Sequence, residues 1–593
     1  MCGFAGIVDS AGVGAEEVSA MASCLAHRGP DDAGAFAEGP YGVAHRRLAI
    51  LDTSAAGHQP MSSGPLVLAY NGEIYNFRAL ASELTSRGRR FRSRSDTEVL
   101  LAALSEWGED ALCRLDGMFA FALWDREKQE LLLVRDRFGI KPLYWAEHEG
   151  RFLFGSEVKA LLAAGAPTRV DQKALVEYFT FQNVFTDRTL FEGVRLLPPG
   201  HVMRIGLTGR TEKRWWDLEL APDATRTEAQ WSADVREALD AAVEGHLVSD
   251  VPLGSYLSGG MDSASIVALA SRRRPGLDTF TGGFDMSSVS GLELVYDERD
   301  KARLVSETFG TTHHEVVMHS GDMARVMRRL AWHIEDPRAG TCYQNLYVAE
   351  LAARSVEVAL AGTGGDEVFA GYPWRYELVA DAHDPAEFDE RYFAYWNRVV
   401  PVGEHEDLFT ADVLREARGH DPFDVYRQVI APADGLDPVS RALYFEAKTF
   451  LHALLVVEDK LSMSVGLEVR VPFLGRDLVE LAGRIPAGLK YRESGGKEVL
   501  RSAMRGILPG EILDSPKQGF TPPEGSWYRG ESVAYVRDVL LEPRSLSRGY
   551  FRAEFTQRIL REHLAGLRNH RQLIWSLLMF EWWNRVFVDG ERP

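Results

Sequence analysis

Cys2, in Met1-Cys2-Gly3-Phe4-Ala5-Gly6-Ile7, becomes the first residue once the initiator methionine is removed. A thiol beside a free α-amino group is a nucleophile that carries its own base, since an ordinary thiol titrates near ~8.5 and an α-amine near ~8. Removal of Met1 is then a catalytic requirement; the competing reading is a small apolar residue starting a buried strand. Asn71-Gly72-Glu73 follows a strand expected to end at Tyr70. There a side-chain amide and a glycine N–H can form the oxyanion hole that acyl transfer to a thiol needs, although Asn-Gly is also a hairpin-turn signal. Arg47 and Asp96 supply the charges that hold an α-carboxylate and an α-amino group.

The second half carries a different chemistry. Leu257-Ser258-Gly259-Gly260-Met261-Asp262-Ser263 lies between a short apolar run and a helix starting near Asp262. Loop amides, hydroxyls and a helix N-terminus converge there as they do on phosphate oxygens. No lysine follows the glycines, so this is not a Walker A loop; S-G-G-x-D-S resembles the pyrophosphate loop of the ATP pyrophosphatases. Gly362-Thr363-Gly364-Gly365-Asp366-Glu367 follows a second apolar run, Val358 to Ala361. Asp262 and Asp366, at neighbouring strand ends, could hold Mg²⁺ against a polyphosphate; a solvated acidic turn is the alternative. Lys517 could oppose the charge of a phosphoryl transition state, but spacing alone does not separate it from a surface lysine.

These residues need two scaffolds. With 593 residues, 45% hydrophobic and 26% charged, the chain is expected to form more than one folded domain. Residues 1–210 alternate β-rich runs with helical stretches and read as an α+β layered domain. A polar, glycine-dotted linker is placed at 211–226. From 227 to 593, an amphipathic helix and then strand, glycine loop and helix predict a parallel α/β sheet, with helical insertions around 372–441. No apolar run approaches the ~20 residues of a membrane span, and the opening residues lack a secretory pattern, so a cytoplasmic protein is expected. Four widely spaced cysteines indicate neither disulfides nor zinc. A net charge of −19 disfavours nucleic acid.

Taken in order, Cys2 to Gly6, His27-Arg28-Gly29-Pro30-Asp31, His45-Arg46-Arg47-Leu48, Asn71 to Asn76 and Ser95-Asp96 resemble the class II glutamine amidotransferase domain. The second half, with Leu467-Glu468-Val469-Arg470-Val471-Pro472-Phe473-Leu474 and Pro516-Lys517-Gln518-Gly519-Phe520, resembles its glutamine-hydrolysing asparagine synthetase partner. The resemblance implies an N-terminal nucleophile (Ntn) αββα sandwich followed by an ATP-pyrophosphatase-type α/β domain. By it, Cys2 attacks glutamine, Asn71 and Gly72 hold the oxyanion, and Arg47, Glu73 and Asp96 complete the glutamine site. Leu257, Gly282, Ala361 and Gly362 would line the ATP pocket and Ser258, Gly259, Gly260, Asp262 and Ser263 the pyrophosphate. Asp262 and Asp366 would hold Mg²⁺, and Lys517 the charge of adenylation.

The implied reaction amidates an adenylated carboxylate with ammonia drawn from glutamine through an internal channel, releasing AMP and pyrophosphate, with aspartate the default acceptor. A homodimer is expected from the family alone. Thr363 departs from the pattern, since relatives that make asparagine usually carry an acidic residue there, and threonine cannot serve as a carboxylate base. This shifts weight towards other acids, such as cell-wall precursors or secondary metabolites. An intramolecular amide-forming enzyme of the β-lactam synthetase kind is disfavoured, because those relatives typically lose the cysteine retained here. A degenerate scaffold should show damage at both sites, and only Thr363 is altered.

Overall fold

The computed structural model describes residues 2–206, 209–291, 293, 296–492 and 495–593; the Met1 expectation lies outside them. Among the described residues, twelve strands build the first half. They are β1 (Gly3–Val8), β2 (Asp32–Glu38), β3 (Tyr41–Arg47), β4 (Met61–Ser63), β5 (Leu66–Ile74), β6 (Gly117–Asp125), β7 (Glu130–Arg135), β8 (Tyr144–His148), β9 (Arg151–Gly155), β10 (Val194–Leu196), β11 (His201–Gly206) and β12 (Gly209–Arg214). They form two antiparallel six-stranded sheets, ordered β10-β8-β9-β1-β3-β2 and β12-β11-β7-β6-β5-β4.

Side-chain alternation explains the layering. Val67 and Ala69 of β5, Ala120 and Ala122 of β6 and Phe4 of β1 fill the space between the sheets. Their neighbours Leu68, Tyr70, Phe119 and Phe121 instead face the helices Phe77–Ser86 and Asp96–Trp107. On the other side, Ala5 and Ile7 face the helices Ala15–Ser23 and Gln172–Phe181, in a core that continues into the second half through Leu330 and Trp575. The first half is therefore an αββα sandwich with one helical layer fused to its neighbour.

Two sequence expectations need correction. β5 does not end at Tyr70: it pairs with β6 through Ile74, with Asn71 opposite Ala120 and Gly72 opposite Phe119. Asn71-Gly72 is thus mid-strand and makes no hairpin turn, because cross-strand pairing overrides the local turn preference. Residues 211–214, assigned to a linker, belong to β12, which pairs with β11.

The second half contains a parallel sheet of β13 (Leu253–Tyr256), β14 (Asp278–Phe284), β15 (Thr312–Met318), β16 (Val358–Leu360) and β17 (Glu468–Arg470), ordered β15-β14-β13-β16-β17. Helix Glu228–His246, begun by a Thr227–Gln230 capping box, packs with helices Met261–Ala270 and Arg299–Phe309 on one face. Helices Tyr343–Ala352 and His452–Met463 pack against each other on the other side. Strand order reverses between β13 and β16, which opens a crevice at their C-terminal ends, the place where doubly wound sheets bind ligands. Short helices, among them Pro385–Trp396, Pro422–Ile430 and Pro438–Glu446, occupy most of 373–446. Among the described residues, no helix is long and apolar enough to cross a membrane.

Candidate functional sites

The first site follows from two strands that place alternate residues on one face. Cys2 precedes Phe4 by two residues and Asn71 follows Ala69 by two, so both point between the sheets. There the Cys2 backbone N–H donates to Asn71 Oδ1 at 3.1 Å, and the thiol lies 3.8 Å from the Leu48 carbonyl. The Asn71 side chain is fully buried, and its Nδ2 has no hydrogen-bond partner. An orphaned buried donor is costly, and one beside a cysteine is what a developing oxyanion would satisfy. Gly72 admits no side chain, since a Cβ would stand 2.2 Å from the Met118 carbonyl oxygen.

The charged groups gather around this pair. Arg47 gives N–H bonds to the Leu51, Asp52 and Ser54 carbonyls, which fix its plane while leaving part of its five-donor fork for a ligand. Asp96, at the start of a helix capped by Ser95, accepts from the Tyr70 hydroxyl at 2.8 Å and the Ile74 N–H at 3.0 Å. Burial pushes the Asp96 carboxyl up to about 6. Burial, and then the Asp96 charge, holds the Glu73 carboxyl well above its usual range. Arg470, 3.2 Å from Glu73, offsets part of this negative charge, and an α-ammonium group would offset more of it. Burial also raises the Cys2 thiol, with Arg47 opposing it.

The second site lies in the crevice at the ends of β13 and β16, a cavity of about 1010 Å³. Leu257, Ser258, Gly259, Gly260, Asp262, Ser263, Gly282, Ala361, Gly362, Asp366 and Lys517 all line it. The loop after β13 is braced by its own hydroxyls: Ser258 and Ser263 oxygens are 3.1 Å apart, and the Ser258 N–H donates to Ser263 Oγ at 3.1 Å. Gly362 permits the two loops to touch, because a Cβ there would stand 2.8 Å from the Ser263 nitrogen.

Asp262 and Asp366 are brought together by a cation the sequence did not single out. Lys497 Nζ is 2.5 Å from Asp262 Oδ2 and 2.5 Å from Asp366 Oδ1, and Lys517 Nζ is 2.5 Å from Asp366 Oδ2. Burial would raise Asp366, but Lys497 and Lys517 override it and bring the carboxyl down to about 2. Burial would likewise depress Lys517, and Asp366 and Asp262 outweigh that and hold it above its ordinary value. Asp262 Oδ1 is buried without a hydrogen-bond partner. A pair of carboxylates with an unpartnered oxygen fits Mg²⁺, which takes one or two carboxylates and completes its shell with phosphates and water.

Other functional groups were missed because their partners are distant in sequence. Thr363 Oγ1 donates to Glu458 Oε2 at 2.9 Å, within the same cavity wall. Arg28 gives its Nε–H to the Cys2 carbonyl and pairs with Glu157 and Asp459, both at 2.9 Å. Lys141 joins Asp459 at 3.1 Å. Arg470 of β17 pairs with Glu468 at 2.6 Å and reaches Glu73 at 3.2 Å. A buried pair that loses one partner typically costs about 3–5 kcal/mol. Arg470→Ala should therefore lower the denaturation midpoint markedly, as it leaves two carboxylates buried together; an unchanged midpoint would refute that account.

The family profile described as glutamine amidotransferase domain matches residues 1–216, and that described as asparagine synthase matches residues 234–585. Asparagine synthetase [glutamine-hydrolyzing] 1 of Bacillus subtilis is 32% identical, covering 99% of this chain and 97% of that protein. Asparagine synthetase [glutamine-hydrolyzing] 3 of the same organism is 32% identical over 88% of this chain and 87% of its own. A Gibberella zeae protein named amidase chry2 is 29% identical over 91% of this chain and 90% of its own.

Proposed function

This chain belongs to the glutamine-hydrolysing asparagine synthetase family, an ATP-dependent ligase with a glutamine amidotransferase domain, and from that premise we propose which residues act and on what acceptor. The Cys2 thiolate attacks the glutamine amide carbon, and the α-amine exposed by loss of Met1 takes the thiol proton. Asn71 Nδ2 and the Gly72 N–H receive the oxyanion, while Arg47 meets the glutamine carboxylate and Glu73 and Asp96 its ammonium group. Collapse of the tetrahedral intermediate breaks the C–N bond, expels ammonia and forms the thioester, whose hydrolysis returns Cys2 and leaves glutamate.

In the second half, Ser258 to Ser263 hold the β and γ phosphates of ATP, and Leu257, Gly282, Ala361 and Gly362 border the nucleoside. The acceptor carboxylate attacks the α-phosphorus and pyrophosphate departs. Lys497 and Lys517 oppose the charge that develops on the phosphoryl oxygens. Asp262 and Asp366 would hold Mg²⁺, whose charge offsets that of the polyphosphate. Ammonia then displaces AMP, a step that needs water kept from the adenylate.

The observation that carries this reading is the meeting of Asp262, Asp366, Lys497 and Lys517 beside the serine-glycine loop. Aspartate is the default acceptor. A second acceptor class, some other small carboxylic acid, is favoured by the hydroxyl at Thr363. The test is a panel of carboxylic acids with ammonium chloride, Mg²⁺ and ATP, read by pyrophosphate release. Aspartate or another acid should yield AMP and pyrophosphate together; ADP and phosphate would refute the reaction class.

A further inference from the structure

The loop after β16 has no acidic side chain at position 363, yet a carboxylate stands in that part of the cavity wall. It comes from helix 452–463: the Thr363 hydroxyl donates to Glu458 Oε2 at 2.9 Å, across 95 residues of sequence. Both residues line the chamber that contains Asp262, Asp366 and Lys517. The loop holding Thr363 also touches the phosphate-binding turn, through Gly362 against Ser263. The next helical residue, Asp459, is bound to Arg28 and Lys141 of the first half. Glu458 therefore stands on the helix that separates the ammonia-forming half from the adenylate-forming chamber.

We propose that Glu458, oriented by Thr363, accepts the proton that ammonia sheds as it attacks the acyl-adenylate. This rests on the amidation reading above. The nitrogen lone pair forms the C–N bond, the C–O bond to phosphate breaks with its electron pair leaving on AMP, and one N–H proton passes to the Glu458 carboxylate. Thr363 occupies one carboxylate oxygen, so the side chain keeps a fixed direction as it gains and loses the proton.

The surroundings suit that task. Burial pushes the Glu458 carboxyl up to about 7, with the Thr363 hydroxyl and Lys141 opposing the rise and Asp459 adding to it. Tyr256 of β13 is the other titratable group that senses its charge. A base is most effective when it titrates near the working pH. The deprotonated form is the competent one, so amide formation should fall as pH drops through 7.

The test separates two half-reactions of the full-length protein. Exchange of labelled pyrophosphate into ATP, driven by aspartate or by the acid that succeeds in the panel, reads adenylation without nitrogen. Amide formation at a fixed free-ammonia concentration reads the second step. Glu458→Gln should keep exchange within about threefold, slow amide formation about 100-fold and erase the inflection near 7. Thr363→Val removes a hydrogen bond that lowers the carboxyl, so its inflection should move to higher pH. Amide formation by Glu458→Gln at the parent rate, with the inflection intact, would overturn the proposal, as would collapse of both half-reactions together. Exchange with no acid at all would instead overturn the amidation reading, and this proposal with it.

Discussion

Replacing Cys2 by Ala is expected to reduce glutamine-dependent amide formation and glutamate release by more than about 10⁴-fold, while ammonium-dependent formation stays within about twofold. Cys2 is the thiol beside Asn71, and the orphaned Asn71 amide has nothing to stabilise unless a tetrahedral carbon forms there. The substitution removes one sulfur from a site that does not line the ATP cavity. Nucleotide chemistry should proceed normally. The measurement is glutamate and AMP release side by side, with either nitrogen source. Glutamate release surviving the substitution would remove Cys2 from the reaction, and loss of the ammonium-dependent rate would show that the two halves do not act separately.

Lys517→Ala is expected to produce the reverse pattern, with adenylation slowed about 10³-fold and glutaminase activity retained. The effect is large because the ammonium group is fixed in advance. Asp366 holds it at 2.5 Å, and the two aspartates keep it protonated against the penalty of burial. Lys497 cannot substitute, because it already spans Asp262 and Asp366. Removing Lys517 also withdraws one of the two cations that bring Asp366 down to about 2, so that carboxyl should titrate at a higher pH. Pyrophosphate exchange at saturating ATP and acceptor measures the effect. A loss below tenfold would reassign Lys517 to holding the loop in place.

What could be read from the sequence was local. Strand, glycine loop and helix around Leu257 to Ala270 show in the residues themselves, and β13 and β16 are short apolar runs ending in glycine-rich turns. Period two along β5 places Asn71 towards Cys2 once the strand is correctly bounded. The Asn-Gly pair misled the boundary because its turn preference is a weak local force, whereas pairing with β6 satisfies backbone groups on both strands through Ile74.

The remainder lay in contacts between distant residues. Lys497 follows a short two-stranded ribbon and reaches Asp262 across 235 residues. Arg28 meets Asp459 across 431. Glu458, Asp459 and Lys460 are three consecutive charged residues of one helix, and all three are committed to partners in the interior. Charge in a helical pattern does not reveal whether water or another side chain faces it.

Those three neighbours bear on protein engineering. Helix 452–463 is encoded in the second half, but Asp459 completes the charge balance of the first half by way of Arg28 and Lys141. A fragment ending near residue 216 would take Asp459 from Arg28 and Lys141 and Arg470 from Glu73, leaving Arg28 with Glu157, and should express poorly as an isolated unit. A chimaera that grafts an unrelated glutaminase onto this ligase has to redesign the same helix, and in doing so would disturb the wall of the acceptor chamber. The two activities should then be separable by point substitution yet resist exchange as cassettes.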